Sequence, residues 1–97
     1  MTTSEEIFSQ LSGLKKELAK KYSVKKIGIF GSFARDDANE RSDVDILVEY
    51  NESPGFFEFI ELEDYLKEKL GRNVDLATKN ALKPAIRKRV LSEIRYV

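Results

Sequence analysis

The sequence contains no cysteine, no histidine and no tryptophan, and the first two absences each exclude a kind of site. Without cysteine there are no disulfides, and without histidine there is no imidazole for acid–base or triad catalysis. Any metal site must therefore use oxygen ligands, which suits Mg²⁺ or Mn²⁺. The chain also lacks a long apolar run and a signal peptide, so we expect a cytoplasmic protein that does not associate with a membrane.

The length of 97 residues is enough for one small domain with one modest core. We therefore predict a single domain over residues 1–97, with little room for substrate recognition, so that an enzyme of this size borrows its acceptor from a partner. The formal net charge is zero, which disfavours stable nucleic-acid binding by the chain alone. Acidic residues concentrate between Asp36 and Asp75 and basic ones on either side; the basic cluster Arg87-Lys88-Arg89 is the first choice for a partner contact.

The spacing of apolar residues predicts an α/β or α+β fold with a small mixed three-stranded sheet and about four helices. The short link between the first two strands favours an antiparallel pair, and the helix between the second and third favours a parallel pair. The predicted helices are Ser4–Lys21, a short segment Phe33–Asp36, one that begins near Pro54 and ends at Gly71, and a last one from about Leu82 to Ile94; the predicted strands are Val24–Phe30, Asp43–Tyr50 and Asn73–Ala77.

Chemistry is indicated where the first strand ends and the second begins. Gly31-Ser32 closes the first apolar run, and Asp43-Val44-Asp45 opens the second. Side chains at i and i+2 of a strand point to one face, so the two carboxylates lie side by side. Mg²⁺ binds carboxylates together with substrate phosphates, and a Gly-Ser turn offers backbone N–H groups and a hydroxyl to phosphate. Such a set is suited to phosphoryl or nucleotidyl transfer.

Asp75 is the third candidate carboxylate, because the third strand brings it to the same face if that strand lies beside the second. We expect Asp43, Asp45 and Asp75 to surround one or two Mg²⁺ ions, with Asp75 placed to accept a proton from the nucleophile. The outer phosphates of a nucleoside triphosphate would bind Gly31 and Ser32. Arg35, one turn later, either contacts phosphate or forms a salt bridge with an acidic residue of the loop.

The aromatic residues Phe56, Phe57 and Phe59 have two interpretations. They are a part of the core or a platform on which a nucleotide base stacks, and we expect the core.

Gly31-Ser32, ten residues and Asp43-Val44-Asp45 match the signature of the polymerase-β-type nucleotidyltransferase superfamily. The strings Gly31–Arg35 and Ser42–Val48, the chain length and the tail from Leu82 to Val97 resemble the minimal nucleotidyltransferase (MNT) family within it. The resemblance covers essentially the whole chain. One departure is visible: Asp36 stands where members often carry glycine.

The resemblance implies a polymerase-β-like nucleotidyltransferase fold and a role as antitoxin of a type VII HEPN/MNT toxin–antitoxin pair. The chain would transfer AMP from ATP to a tyrosine hydroxyl of a HEPN ribonuclease toxin, with which it forms a hetero-oligomer. Asp43 and Asp45 match the metal-binding carboxylates of the family, Gly31 and Ser32 match its phosphate turn, and Asp75 corresponds to its third carboxylate by order. Two alternatives remain open: an antitoxin that neutralises by binding alone, and one subunit of a two-chain enzyme acting on RNA or a small molecule.

Overall fold

The computed structural model describes residues 3–97, which form one mixed sheet with helices on its two faces. Strand order in the sheet is β3-β2-β1-β4. The elements in chain order are α1 (Ser4–Tyr22), β1 (Val24–Phe30), β2 (Val44–Tyr50), α2 (Phe56–Leu70), β3 (Val74–Thr78), a 3-10 turn (Lys79–Ala81), α3 (Pro84–Glu93) and β4 (Arg95–Tyr96).

The predicted strand directions are confirmed. β1 and β2 are antiparallel, with Ile29 opposite Ile46, and β2 and β3 are parallel, with Asp45 beside Asp75. Thr3 caps α1, because its side-chain oxygen accepts a hydrogen bond from the Glu6 backbone N–H at 3.2 Å.

The predicted mixed α/β fold is confirmed, and only the counts differ slightly from the prediction of three strands and about four helices. Residues 3–97 contain four strands, three α-helices and one short 3-10 turn. The fourth strand has only two residues and pairs with β1 at the end of the chain, so no local periodicity reveals it. The predicted helical segment Phe33–Asp36 is a series of turns, and the last helix ends at Glu93.

The core lies on one face of the sheet, beneath α1 and α2. Alternate residues of β2 are fully buried there, namely Val44, Ile46 and Val48, and α2 contributes Leu62 and Leu66. The intervening residues of β2 face the other side, which carries Asp45. None of the helices in residues 3–97 is long and apolar enough to span a bilayer.

The expectation that the aromatic run belongs to the core was wrong for two of its members. Phe59 is half-buried and packs against the core, but the Phe56 and Phe57 side chains are 73% and 77% exposed. Gly55 caps α2, so both residues occupy its first turn, and the 3.6-residue period directs Phe59 rather than these two toward the sheet.

Candidate active site

The Gly31-Ser32 turn leaves β1 through a backbone conformation that glycine adopts readily. Gly31 is buried with φ of +73°, and a Cβ at this position would overlap the Asp45 carboxylate. The turn continues with hydrogen bonds from the Arg35 N–H to the Gly31 carbonyl (3.1 Å) and from the Asp37 N–H to the Ser32 carbonyl (3.0 Å). Glycine is therefore required here both for its conformation and for the close approach of the carboxylate.

The start of α1 also supports this turn. The buried Ser4 hydroxyl donates a hydrogen bond of 2.7 Å to the Phe33 carbonyl, 29 residues away in sequence. The Phe33 side chain is itself almost fully buried. The segment directly after Ser32 is thus anchored to the core on one side and to the first turn of α1 on the other.

The structure places the three candidate carboxylates at one end of the sheet. Asp45 of β2 is the in-register neighbour of Asp75 on β3, so both side chains point to the same face, and Asp43 lies two residues before Asp45. Asp45 is half-buried, whereas Asp43 and Asp75 are exposed. Asp45 and Asp75 therefore share one face of the sheet, as the sequence predicts.

The electrostatics of Asp45 show how closely negative charge is packed at this end. Burial, and then the negative charges of Asp75 and Asp43, raise the pKa of Asp45 to about 6. Glu93 acts in the same direction, and the Arg35 guanidinium opposes it. Carboxylates that repel one another in this way form an oxygen-rich, anionic surface, which is the donor chemistry that Mg²⁺ prefers.

The side chains do not, however, enclose a metal position as they stand. Within residues 3–97, no group of three acidic side chains converges closely enough to hold a metal ion. The backbone register brings Asp45 and Asp75 together, but Asp43 and Asp75 extend into solvent. Because Asp43 and Asp75 are exposed, rotation about their χ angles changes the direction of both carboxylates. Three carboxylates at one end of the sheet are enough ligands, and of the right chemistry, for such an ion, so the residues present fit it.

Arg35 forms salt bridges, one of the two alternatives left open by the sequence. Its Nε atom donates to Asp37 at 3.2 Å and its Nη1 atom to Glu93 at 3.0 Å. These two hydrogen bonds, with Glu93 first, raise the pKa of Arg35. The predicted partner in the loop is present, but Glu93 comes from the end of α3 and has no counterpart in the sequence argument.

Arg72 is a second residue that sequence reasoning missed. Its Nη2 atom contacts three carbonyl oxygens of the loop between Ser32 and Asp43, at 3.0 Å from Asn39, 3.0 Å from Glu40 and 2.8 Å from Ser42. Its guanidinium also lies over the Phe33 ring, 5.0 Å from the centroid. Arg72 therefore fastens the loop that leads into Asp43.

A polar cleft opens beside Asp43. It has a volume of about 490 Å³ and lies between this loop, the end of α2 and the start of β3. The residues that line it are Glu40, Arg41, Ser42, Asp43, Lys67, Gly71, Arg72 and Asn73. The cleft is large enough for a nucleotide moiety or an acceptor side chain next to the carboxylates.

Known proteins resemble this chain in both sequence and fold. Residues 11–97 match the family model of the nucleotidyltransferase domain. The chain is 53% identical over 97 residues to the protein adenylyltransferase MntA of Thermococcus cleftensis, which covers 100% of this chain and 98% of that protein.

Two solved structures share the fold. One, described as a minimal nucleotidyltransferase, superposes with a TM-score of 0.84 at 29% identity, covering 97% of this chain and 95% of the other. The second is a complex of a tri-AMPylated HEPN toxin from Shewanella oneidensis with its MNT antitoxin; it matches with a TM-score of 0.63 at 21% identity, over 90% of this chain and 70% of that chain.

A mixed sheet with a Gly-Ser turn packed against paired carboxylates is the arrangement of a nucleotidyltransferase, which makes the protein an enzyme of that class. Within the class, the chain belongs to the minimal nucleotidyltransferase family.

Proposed function

We propose that this enzyme is an Mg²⁺-dependent protein adenylyltransferase that transfers AMP from ATP to a tyrosine hydroxyl of a HEPN-domain toxin. It is then the antitoxin of a type VII HEPN/MNT pair and acts in the cytoplasm. The observation that carries the proposal is the packing of the Gly31 turn against Asp45, with Asp75 beside it in register. The adenylyltransferase name of the Thermococcus relative and the AMPylated toxin of the Shewanella complex support the same chemistry.

The reaction joins the acceptor oxygen to the α-phosphorus of ATP. The tyrosine oxygen forms the new P–O bond, the bond from the α-phosphorus to the oxygen bridging to the β-phosphate breaks, and pyrophosphate leaves. The backbone N–H groups of Gly31 and Ser32 and the Ser32 hydroxyl hold the outer phosphates. Asp75, which is exposed beside Asp45, is placed to take the proton of the incoming hydroxyl.

Asp43, Asp45 and Asp75 are the residues that would hold one or two Mg²⁺ ions. When bound, Mg²⁺ supplies positive charge that polarises the phosphoryl oxygens and offsets the charge of the leaving pyrophosphate. Burial, and then the charges of Asp75 and Asp43, raise the pKa of Asp45, and the Arg35 guanidinium opposes them only in part, so a bound divalent cation would offset the remaining negative charge.

The partner supplies the acceptor, since 97 residues leave little room for a separate substrate-recognition domain. The predicted contact cluster on α3 is only partly available for it. Arg87 is half-buried and donates to the backbone carbonyls of Lys79 and Leu82, both at 3.0 Å, whereas Lys88 and Arg89 are exposed. We therefore assign a partner contact to Lys88 and Arg89 and a structural role to Arg87.

The test is transfer of label from ATP to the HEPN partner, followed by intact mass of that partner. With Mg²⁺, label in the α-phosphate is expected in the partner and label in the γ-phosphate is not, with a mass gain of one or more AMP units. Asp43→Ala/Asp45→Ala abolishes transfer, and Asp64→Ala, which removes an exposed carboxylate of α2, leaves it intact. Transfer of γ-label, or undiminished transfer by the double variant, contradicts the proposal.

The acceptor is tested separately by exchanging the tyrosines of the partner for phenylalanine. Loss of labelling in one such variant identifies the hydroxyl. If the Asp43→Ala/Asp45→Ala variant neutralises the toxin as well as the wild type does, neutralisation depends on binding and the AMP transfer has another role.

A further inference from the structure

One carboxylate, that of Glu93, occupies the Gly31 backbone N–H, which is assigned to the outer phosphates, and the Arg35 guanidinium beside it. The Gly31 backbone N–H donates to its Oε1 atom at 3.3 Å, and Arg35 Nη1 donates to its Oε2 atom at 3.0 Å. The Glu93 side chain is only 16% exposed, so it lies in the site rather than in solvent. A backbone N–H at a glycine turn together with a guanidinium is a combination that binds phosphate oxygens.

The fold holds this carboxylate in place. β4 pairs with β1, with Tyr96 opposite Gly28, and the Val97 N–H donates to the Ile27 carbonyl at 3.1 Å. Gly28 lets the chain come close, because a Cβ on it would lie 2.9 Å from Ile94 Cγ1. Ile94 therefore packs on the sheet face that carries Asp45, and the preceding residue reaches the Gly31 turn.

An additional negative charge at this position is unfavourable unless it is compensated. Asp43, Asp45 and Asp75 already lie at the same end of the sheet, and Glu93 is among the charges that raise the pKa of Asp45. The hydrogen bonds from Gly31 and Arg35 are what compensate it. A phosphate group would gain from the same two donors, so the carboxylate and the phosphate compete for one position.

We propose that Glu93 occupies the position of an outer nucleotide phosphate when no nucleotide is bound, and that its carboxylate leaves Gly31 and Arg35 when ATP binds. The inference rests on the proposed function and adds a residue that sets the affinity for triphosphates. The return of the Glu93 carboxylate to the Gly31 turn after AMP transfer assists the departure of pyrophosphate. Glu93 thus discriminates between ligands with outer phosphates and those without them.

The test is the affinity of Glu93→Gln for three ligands, measured by calorimetry with Mg²⁺: α,β-methylene ATP, pyrophosphate and AMP. Glutamine keeps the size and an acceptor oxygen but removes the competing charge. We expect the dissociation constants of the first two ligands to fall by about fivefold to tenfold. That of AMP stays within roughly twofold, since AMP has no outer phosphate. Glu61→Gln, on the exposed side of α2, is the matched control and should bind all three as the wild type does.

Two results overturn the inference: unchanged or weaker binding of the triphosphate analogue by Glu93→Gln, and an equal gain for AMP. The first would make Glu93 a residue that positions Arg35. If Glu93→Gln does not fold, Glu93→Asp withdraws the carboxylate from the turn by one methylene, and the same selective gain is expected. A wild-type protein that binds no ATP analogue contradicts the proposed function instead, so the two failures are distinguishable.

Discussion

The ionised carboxylate of Asp45 is unfavourable in the folded protein, and this lowers the free energy of unfolding at neutral pH. Burial and its acidic neighbours raise the pKa of Asp45 from 3.8 to about 6. Above pH 6 the folded protein holds this ionised carboxylate at a cost that the unfolded chain does not have. As the pH falls from 6 toward 4, the folded carboxyl is protonated first and the cost disappears.

Asp45→Asn should therefore be more stable than the wild type at neutral pH in the absence of Mg²⁺. We expect a gain on the order of 1–2 kcal/mol at pH 7.5, after allowance for partial solvent screening, and a much smaller one at pH 4.5. Urea denaturation in EDTA at the two pH values measures it. A gain that is equal at both values, or a loss at pH 7.5, would show that the charge of Asp45 is not the cause.

Asp36 occupies a backbone conformation that glycine adopts readily. Its φ is +61°, in the left-handed region that side chains with a Cβ avoid, although aspartate tolerates it better than most. We expect Asp36→Ala to lower the free energy of unfolding by about 1 kcal/mol, while Asp36→Gly stays within about 0.5 kcal/mol of the wild type. Urea denaturation of the two variants decides; an alanine variant as stable as the glycine variant contradicts this explanation.

At the scale of elements, the loop of residues 37–42 depends on Arg72. Arg72 holds three of its carbonyl oxygens. The loop has three further internal hydrogen bonds, from the Asn39 N–H to Ser42 Oγ (2.9 Å), from the Arg41 N–H to Asn39 Oδ1 (2.8 Å) and from the Ser42 N–H to the Asn39 carbonyl (3.1 Å). The loop connects the Gly31-Ser32 turn to Asp43, so its order sets the distance between the two halves of the candidate site.

Arg72→Lys keeps the positive charge but loses the planar guanidinium, which lies over the Phe33 ring and so places Nη2 among the three carbonyls. We expect trypsin to cleave after the exposed Arg41 roughly tenfold faster, and AMP transfer to slow by a similar factor, because the loop opens more often. The melting temperature should change little. Lys16→Arg, a charge-conserving exchange on an exposed part of α1, is the control for both measurements. Unchanged cleavage with slowed transfer would give Arg72 a direct role in the site instead.

The elements that were predictable are those whose signal is local. Period-two alternation in β2 predicted both the buried face, with Ile46, and the face that carries Asp45, and strand order predicted Asp75 beside it. Arg72 and Glu93 were not predictable, since their partners are backbone atoms and an arginine distant in sequence, and no spacing in the chain links them. The two-residue β4 was missed because its pairing depends entirely on tertiary packing.

At the scale of the whole molecule, the sheet separates stability from chemistry. One face packs against α1 and α2 to form the main core, and the opposite face carries Asp45, the Gly31 turn and the end of α3. Leu47 is buried on this second face, so the site rests on a packed layer as well. The two faces share a backbone but few side-chain contacts, and substitutions on them should have different effects.

Leu66→Ala tests this separation from the side of the core. Leu66 is fully buried between α2 and the sheet, so its truncation leaves a cavity and should cost about 2–5 kcal/mol of stability. At a temperature where circular dichroism shows the variant to be folded, its affinity for an ATP analogue should equal that of the wild type. Leu66→Met, which nearly conserves volume, is the control and should lose less than about 1.5 kcal/mol. A folded Leu66→Ala protein with weakened nucleotide binding would show that the core face controls the geometry of the site. Relaxation of the core around the cavity would then displace β2 and, with it, Asp45.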